Sequence, residues 1–197
     1  MLDASFADAL VLSTVVIFVA ELGDKSQLMA MTFATRYRAR DVILGITAAT
    51  AVVHLASVAI GHWIGASFAA YQPGIAVAAG LAFLAFAIWT LRGDELTDDE
   101  ATKARRSTGS ALLAVSAAFF LAELGDKTML ATITLAVRED WFGTWIGSTV
   151  GMVAADALAI VVGALLGRHL PERLIRYGAA VAFAVFGVLL IVEGLTG

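Results

Sequence analysis

The stretch FVAELGDKSQL, residues 18–28, decides the fold because it returns as FLAELGDKTML at residues 120–130. Eight of the eleven positions are identical, at a constant offset of 102. The register continues beyond the motif: Gly45 pairs with Gly147, Thr47 with Thr149, Gly61 with Gly163 and Gly65 with Gly167. A chance local match does not keep phase through a second segment, so the chain is read as a duplication. Each copy sets two acids and a lysine inside an apolar run.

Around the motifs, the composition excludes a water-soluble domain. The chain has 197 residues, 60% hydrophobic and 15% charged, where soluble domains have about 45–50% and about 25%. Its mean hydropathy is +0.87. A membrane helix needs about 20 apolar residues to cross roughly 30 Å of hydrocarbon. Six segments qualify: Asp8–Thr35, Val42–Ala66, Pro73–Leu91, Ser110–Ala136, Phe142–Gly167 and Leu174–Val192. The runs are continuous rather than alternating, which favours helices over a barrel. The expected fold is therefore an all-α integral membrane protein of six transmembrane helices. Residues 1–91 form one three-helix repeat, 92–109 a charged linker and 110–197 the second repeat. With three spans each, the two repeats enter the membrane from opposite sides, which makes them inverted. Inverted repeats recur in secondary transporters, around a site near the midplane.

Basic residues give the orientation. One side carries Arg36, Arg38, Arg40, Arg92, Lys103, Arg105, Arg106, Arg168, Arg173 and Arg176, the other only Arg138. The positive-inside rule then puts both termini in the periplasm and the linker in the cytoplasm. The N-terminus has no basic leader region before its apolar run, so that run reads as a permanent span. The linker holds Asp94, Glu95, Asp98, Asp99 and Glu100 ahead of its basic residues. It is too short for a catalytic domain and reads as a solvated hinge. Zero cysteines exclude disulfides, thiolate metal sites and thiol chemistry. A net charge of −4 suggests no nucleic-acid partner, and nothing indicates a homo-oligomer.

The charges within the spans carry the chemistry. In a continuous helix, Glu21 and Glu123 fall at midspan, with Asp24 and Asp126 at i+3 and Lys25 and Lys127 at i+4. An uncompensated charge there costs at least about 2.5–3.5 kcal/mol, so these groups must pair, bind an ion or take up protons. Each motif sums to −1 and the pair to −2, which one divalent cation or two protons would neutralise. Glu21, Asp24, Glu123 and Asp126 are the candidate metal ligands, with Ser26, Gln27 and Thr128 as helpers. Oxygen ligands suit Ca²⁺, Mn²⁺ and Mg²⁺. Met129, at the position of Gln27, would favour a softer ion if its thioether faced the site, although packing is the plainer reading. Lys25 and Lys127 are candidates for ion pairing or gating, including a purely structural Glu–Lys pair within each motif. Gly23 and Gly125 allow either close helix packing or unwinding. His54 and Asp156, equivalent at the same offset, are candidates for proton coupling; a neutral, hydrogen-bonded His54 is the blander alternative. His62 and His169 receive no role.

The repeated Glu-x-Gly-Asp-Lys-(Ser/Thr) resembles the hallmark of the membrane cation-transporter family once called uncharacterised protein family 0016. That family includes the Golgi manganese/calcium transporters of yeast and human and bacterial manganese exporters. The resemblance covers essentially the whole chain, with no departure at Glu21, Gly23, Asp24, Lys25 and Ser26 or at Glu123, Gly125, Asp126, Lys127 and Thr128. It implies transport of Mn²⁺ or Ca²⁺ in exchange for protons, in a bacterial inner membrane, with no enzymatic activity and no resident cofactor. Two rivals are an exporter of another substrate and a membrane factor that binds metal without transporting it.

Overall fold

The computed structural model describes residues 6–92, 110–166 and 172–196. The expectations for the charged linker, including Asp94–Glu100 and Lys103–Arg106, and for Gly167, Arg168 and His169 lie outside the described residues. The chain is an all-α membrane protein. Its α-helices are α1 (Phe6–Glu21), α2 (Lys25–Ala34), α3 (Ala39–Ser67), α4 (Gln72–Arg92), α5 (Ala111–Glu123), α6 (Lys127–Ala136), α7 (Trp141–Leu166) and α8 (Glu172–Thr196). A 3₁₀ turn, Ala69–Tyr71, leads into α4. Four helices have the length and hydropathy of a span: α3, α4, α7 and α8.

The other two apolar runs differ from the continuous helices used to place their charges. Asp8–Thr35 is split into α1 and α2, which meet at a bend of 79°. Ser110–Ala136 is split in the same way into α5 and α6. Both breaks fall on the motif. Gly23 and Gly125 have φ of +77° and +79°, a left-handed conformation that costs a residue with a Cβ about 1–2 kcal/mol. Of the two readings of these glycines, unwinding is the one observed.

Helix packing follows the duplication. α1 lies against α7 as α5 lies against α3, and α2 meets α7 as α6 meets α3. The remaining major pairs, α3 with α7 and α4 with α8, join equivalent helices. Close approach relies on absent side chains. A Cβ on Gly147 or Gly151 of α7 would overlap the carbonyl oxygens of Leu10 or Thr14 on α1. Between α4 and α8 the core is aromatic, with Phe83 and Phe186 edge to face at 4.8 Å and Phe86 and Phe183 beside them. The outer surface is apolar too: Leu113, Leu121, Leu165 and Leu195 are all exposed. Water would penalise such a surface, and lipid does not.

Candidate cation site

The polar residues lie inside this apolar shell. Glu21 closes α1, and Asp24 takes an extended conformation (φ −84°, ψ 162°) as the N-cap of α2. Glu123 and Asp126 (φ −75°, ψ 167°) repeat that arrangement between α5 and α6. Each break is a tight turn: the Asp24 N–H donates to the Glu21 carbonyl at 3.1 Å and the Asp126 N–H to the Glu123 carbonyl at 3.2 Å. The two acids of each motif therefore stand at a helix C-terminus and a helix N-terminus. They are not one turn apart on a continuous face. Partial positive charge at the starts of α2 and α6 favours the carboxylates of Asp24 and Asp126.

All four motif carboxylates are buried. Ser26 donates its hydroxyl to Glu21 Oε1, and Thr128 donates to Glu123 Oε2 at 2.9 Å. The other oxygens, Glu21 Oε2 and Glu123 Oε1, have no hydrogen-bond partner among the described residues. Glu21 lies within electrostatic reach of Glu123, Asp24 and Asp156. The two motifs are thus brought together around one interior region.

The lysines pair across the duplication. Lys127 Nζ lies 2.5 Å from Asp24 Oδ1, with both side chains buried. Lys25 Nζ lies 3.6 Å from Asp126 Oδ1, and its side chain is 19% exposed. The Glu–Lys pairing at i+4 has no helix to run along, because each break intervenes between its members. Among the described residues, no three His, Asp or Glu side chains converge closely enough to hold a metal ion as they stand.

His54 on α3 and Asp156 on α7 are both fully buried. Neither imidazole nitrogen and neither Asp156 oxygen has a hydrogen-bond partner among the described residues. One turn earlier, Thr50 donates to Met152 Sδ at 3.3 Å. Those two positions are themselves separated by 102, so α3 and α7 cross at equivalent residues. Gln27 is buried, and both ends of its amide are engaged. Its Oε1 accepts from the Gly23 N–H at 2.8 Å and its Nε2 donates to the Ala155 carbonyl at 2.9 Å. Met129 Sδ accepts from the Gly125 N–H at 3.2 Å.

Sequence reasoning missed the Thr50–Met152 contact, although extending the 102 register one turn before His54 would have exposed it. It also used Arg138 only as a marker of orientation. Arg138 makes a two-pronged bond to Glu193 on α8, at 2.5 and 3.1 Å. Chemically, the interior offers a set of carboxylate and hydroxyl oxygens with two ammonium groups among them. Such a set suits a hard or borderline cation, or protons in its place.

The chain belongs to the family described as divalent cation/proton antiporter GDT1, whose sequence profile matches residues 9–98 and 111–197. It is a family of transporters rather than enzymes. Among curated relatives, the chain is 34% identical to a Vibrio cholerae protein named "Putative manganese exporter", over 91% of this chain and 88% of that one. It is 29% identical to the GDT1-like protein sll0615 of Synechocystis, over 88% of this chain and 91% of the other. It is 30% identical to the chloroplastic protein PAM71 of Arabidopsis thaliana, over 99% of this chain and 58% of that longer protein. Comparison with solved structures finds no match.

Proposed function

We propose that this protein is a secondary transporter that exports a divalent cation, Mn²⁺ ahead of Ca²⁺, from the cytoplasm in exchange for protons. The two broken pairs α1–α2 and α5–α6 each count as one span. That makes six spans in two inverted repeats, residues 1–91 and 110–197, joined by the linker 92–109. Both termini face the periplasm, and the membrane is the bacterial inner membrane. Family membership and the charges buried within the bundle support cation transport. The manganese assignment leans on the Vibrio relative's name.

The observation that carries the reading is the reciprocal lysine–aspartate pairing. The four motif carboxylates and two ammonium groups sum to −2. Each Lys–Asp pair is neutral within itself, so the remaining charge falls on Glu21 and Glu123. Their oxygens without protein partners among the described residues are where a cation or protons would add. In the cycle proposed here, Glu21, Asp24, Glu123 and Asp126 form one shared site, helped by the hydroxyls of Ser26 and Thr128 and the amide of Gln27. Lys25 and Lys127 occupy the aspartates when the metal is absent. Binding moves the lysines aside, and protons replace the metal on the return. Asp156 and His54 flank the site as proton carriers.

The test is Mn²⁺ flux into proteoliposomes under an imposed pH gradient, with Ca²⁺ and Mg²⁺ offered separately. Gradient-driven Mn²⁺ uptake is expected, and Glu21→Gln or Glu123→Gln should each abolish most of it. The double variant should be little worse, as expected of residues acting as a unit. Metal binding without flux would overturn the transport reading. Half the flux surviving in each single variant would overturn the shared site.

A further inference from the structure

We infer that the two motif breaks are mechanically unequal: Gln27 clamps the α1–α2 break to α7, and the α5–α6 break is the one that moves during transport. What the motion serves rests on the transport reading above; which break moves does not.

The duplication supplies the comparison, because every residue at one break has a counterpart at the other. At the first break, the Gln27 amide bridges two elements. It accepts from the Gly23 N–H and donates to the Ala155 carbonyl of α7. At the second break, Met129 stands in the place of Gln27 and accepts from the Gly125 N–H through sulfur. A thioether has no N–H, so it cannot make the second bond. The acceptor is also taken. The counterpart of Ala155 is Val53, whose carbonyl already receives the Ser57 hydroxyl at 2.8 Å. At these two positions exposure follows the same division, Gln27 being buried and Gly23 half-buried where Met129 is half-buried and Gly125 exposed, although Lys127 is buried and Lys25 only half-buried. No atom would meet a Cβ on Gly125 within 4 Å.

The far ends of α2 and α6 show the opposite pattern. A Cβ on Gly61 of α3 would overlap the Ile133 carbonyl of α6, and one on Gly65 would overlap the Val137 carbonyl just beyond it. At the counterpart of Gly61, Gly163 of α7, the nearest atoms belong to the flexible side chain of Met31 on α2. So α6 is seated backbone to backbone at its far end, and its Gly125–Met129 turn lacks the bond to a neighbouring helix that Gln27 makes. α2 is tied to α7 at the site through Gln27 and meets Gly163 through a side chain. The geometry points to α6 pivoting about Gly61 and Gly65, carrying Asp126, Lys127 and Thr128 with it while Asp24 and Ser26 stay in place.

Hydrogen–deuterium exchange on the purified protein tests this without reference to flux. In wild type, amides at residues 124–126 should exchange about tenfold faster than those at 22–24, the upper end for one hydrogen bond. Gln27→Met should bring the first break up to the rate of the second. Equal rates in wild type, or no change in Q27M, would overturn the clamp. For transport, the combination M129Q/S57A adds an amide donor and frees the Val53 carbonyl. It should cut maximal Mn²⁺ flux about fivefold with half-saturation within about twofold of wild type, because one added hydrogen bond holds the moving end. Adding Q27M moves the clamp from one half to the other and should reverse the exchange pattern, making residues 22–24 faster than 124–126. A swapped protein that keeps the wild-type exchange pattern would refute the inference. Wild-type protein with unequal exchange but no flux would instead refute the transport reading and leave the clamp standing.

Discussion

Replacing Lys127 by methionine should destabilise the protein far more than the same change at Lys25. The two lysines have equivalent places in the motif, so sequence alone predicts equal effects. Lys127 and Asp24 meet at 2.5 Å with side chains 4% and 0% exposed, whereas Lys25 and Asp126 are 3.6 Å apart with Lys25 19% exposed. Breaking a buried pair by removing one partner costs about 3–5 kcal/mol, because the remaining charge loses its counter-ion in a poor solvent. Lys25 and Asp126 stand farther apart and Lys25 is less deeply buried, so losing that pair should cost less. Combining Asp24→Asn with Lys127→Met removes both charges at nearly constant volume and should return stability to within about 1 kcal/mol of wild type. Adding Asp24→Asn to Lys127→Met should then recover about 2–4 kcal/mol although the same change alone destabilises, a coupling beyond the scatter of independent sites. Reversible denaturation in mixed micelles, followed through the four tryptophans, gives all four corners of the cycle. The double variant should nevertheless carry no Mn²⁺, since it lacks a proposed ligand. A stable double variant without flux separates the lysine's structural role from the aspartate's transport role. Lys25→Met costing as much as Lys127→Met, or a double variant no better than Lys127→Met, would refute the reasoning.

Gly125→Ala should cost about 1–2 kcal/mol by chemical denaturation, from the left-handed backbone alone, since no atom lies within 4 Å of the added methyl. Gly61→Ala should cost about 1–3 kcal/mol by overpacking, its Cβ landing on the Ile133 carbonyl, while Gly74→Ala, with nothing within 4 Å, should not destabilise. Glu139, in the turn between α6 and α7, has its carboxyl pushed above 4.5 chiefly by burial and also by Glu193 and Asp8, with Arg138 opposing. A raised carboxyl pKa leaves stability untouched while the group is protonated in both states and costs stability as pH rises past its ordinary value. Glu139→Gln should therefore raise Tm in neutral buffer, with the gain fading as pH falls towards 4.5 and absent below it. Asp99→Cys should be labelled by an impermeant thiol reagent only from the cytoplasmic side; labelling from outside intact cells would reverse the proposed orientation.

The sequence located the four long apolar helices α3, α4, α7 and α8 to within a few residues, because hydropathy over a span-length window is a summed property that single residues barely disturb. That buried charges must find company was legible too, and Glu21, Asp24, Glu123 and Asp126 are all buried. The breaks were not legible in the same way. Gly23 and Gly125 lie within apolar runs, where a glycine that admits a neighbouring helix and one that adopts positive φ look alike. Continuous helices also put Glu21 beside Lys25, and the 79° bend removes that relation. Pairing of Lys127 with Asp24 across 103 residues is a tertiary fact that no local spacing encodes. Nor does spacing encode Arg138 reaching Glu193 on another helix.

Departures from the repeat carry as much meaning as the repeat itself. In the inverted arrangement proposed above, a perfectly duplicated chain would have inward- and outward-open forms of equal free energy, since exchanging the halves exchanges the forms. Each mismatch at an equivalent buried position lifts that degeneracy. Gln27 against Met129 differs by a hydrogen bond to α7, and His54 against Asp156 differs in chemical type within the core. The Gly61 contact with Ile133, against that of Gly163 with Met31, differs in how closely two backbones meet. A bias of about 1.4 kcal/mol is tenfold in resting populations, so one such difference is enough to favour one face. It does not set the direction of transport, which the ion gradients determine. The resting bias sets which side's metal concentration the empty carrier samples first.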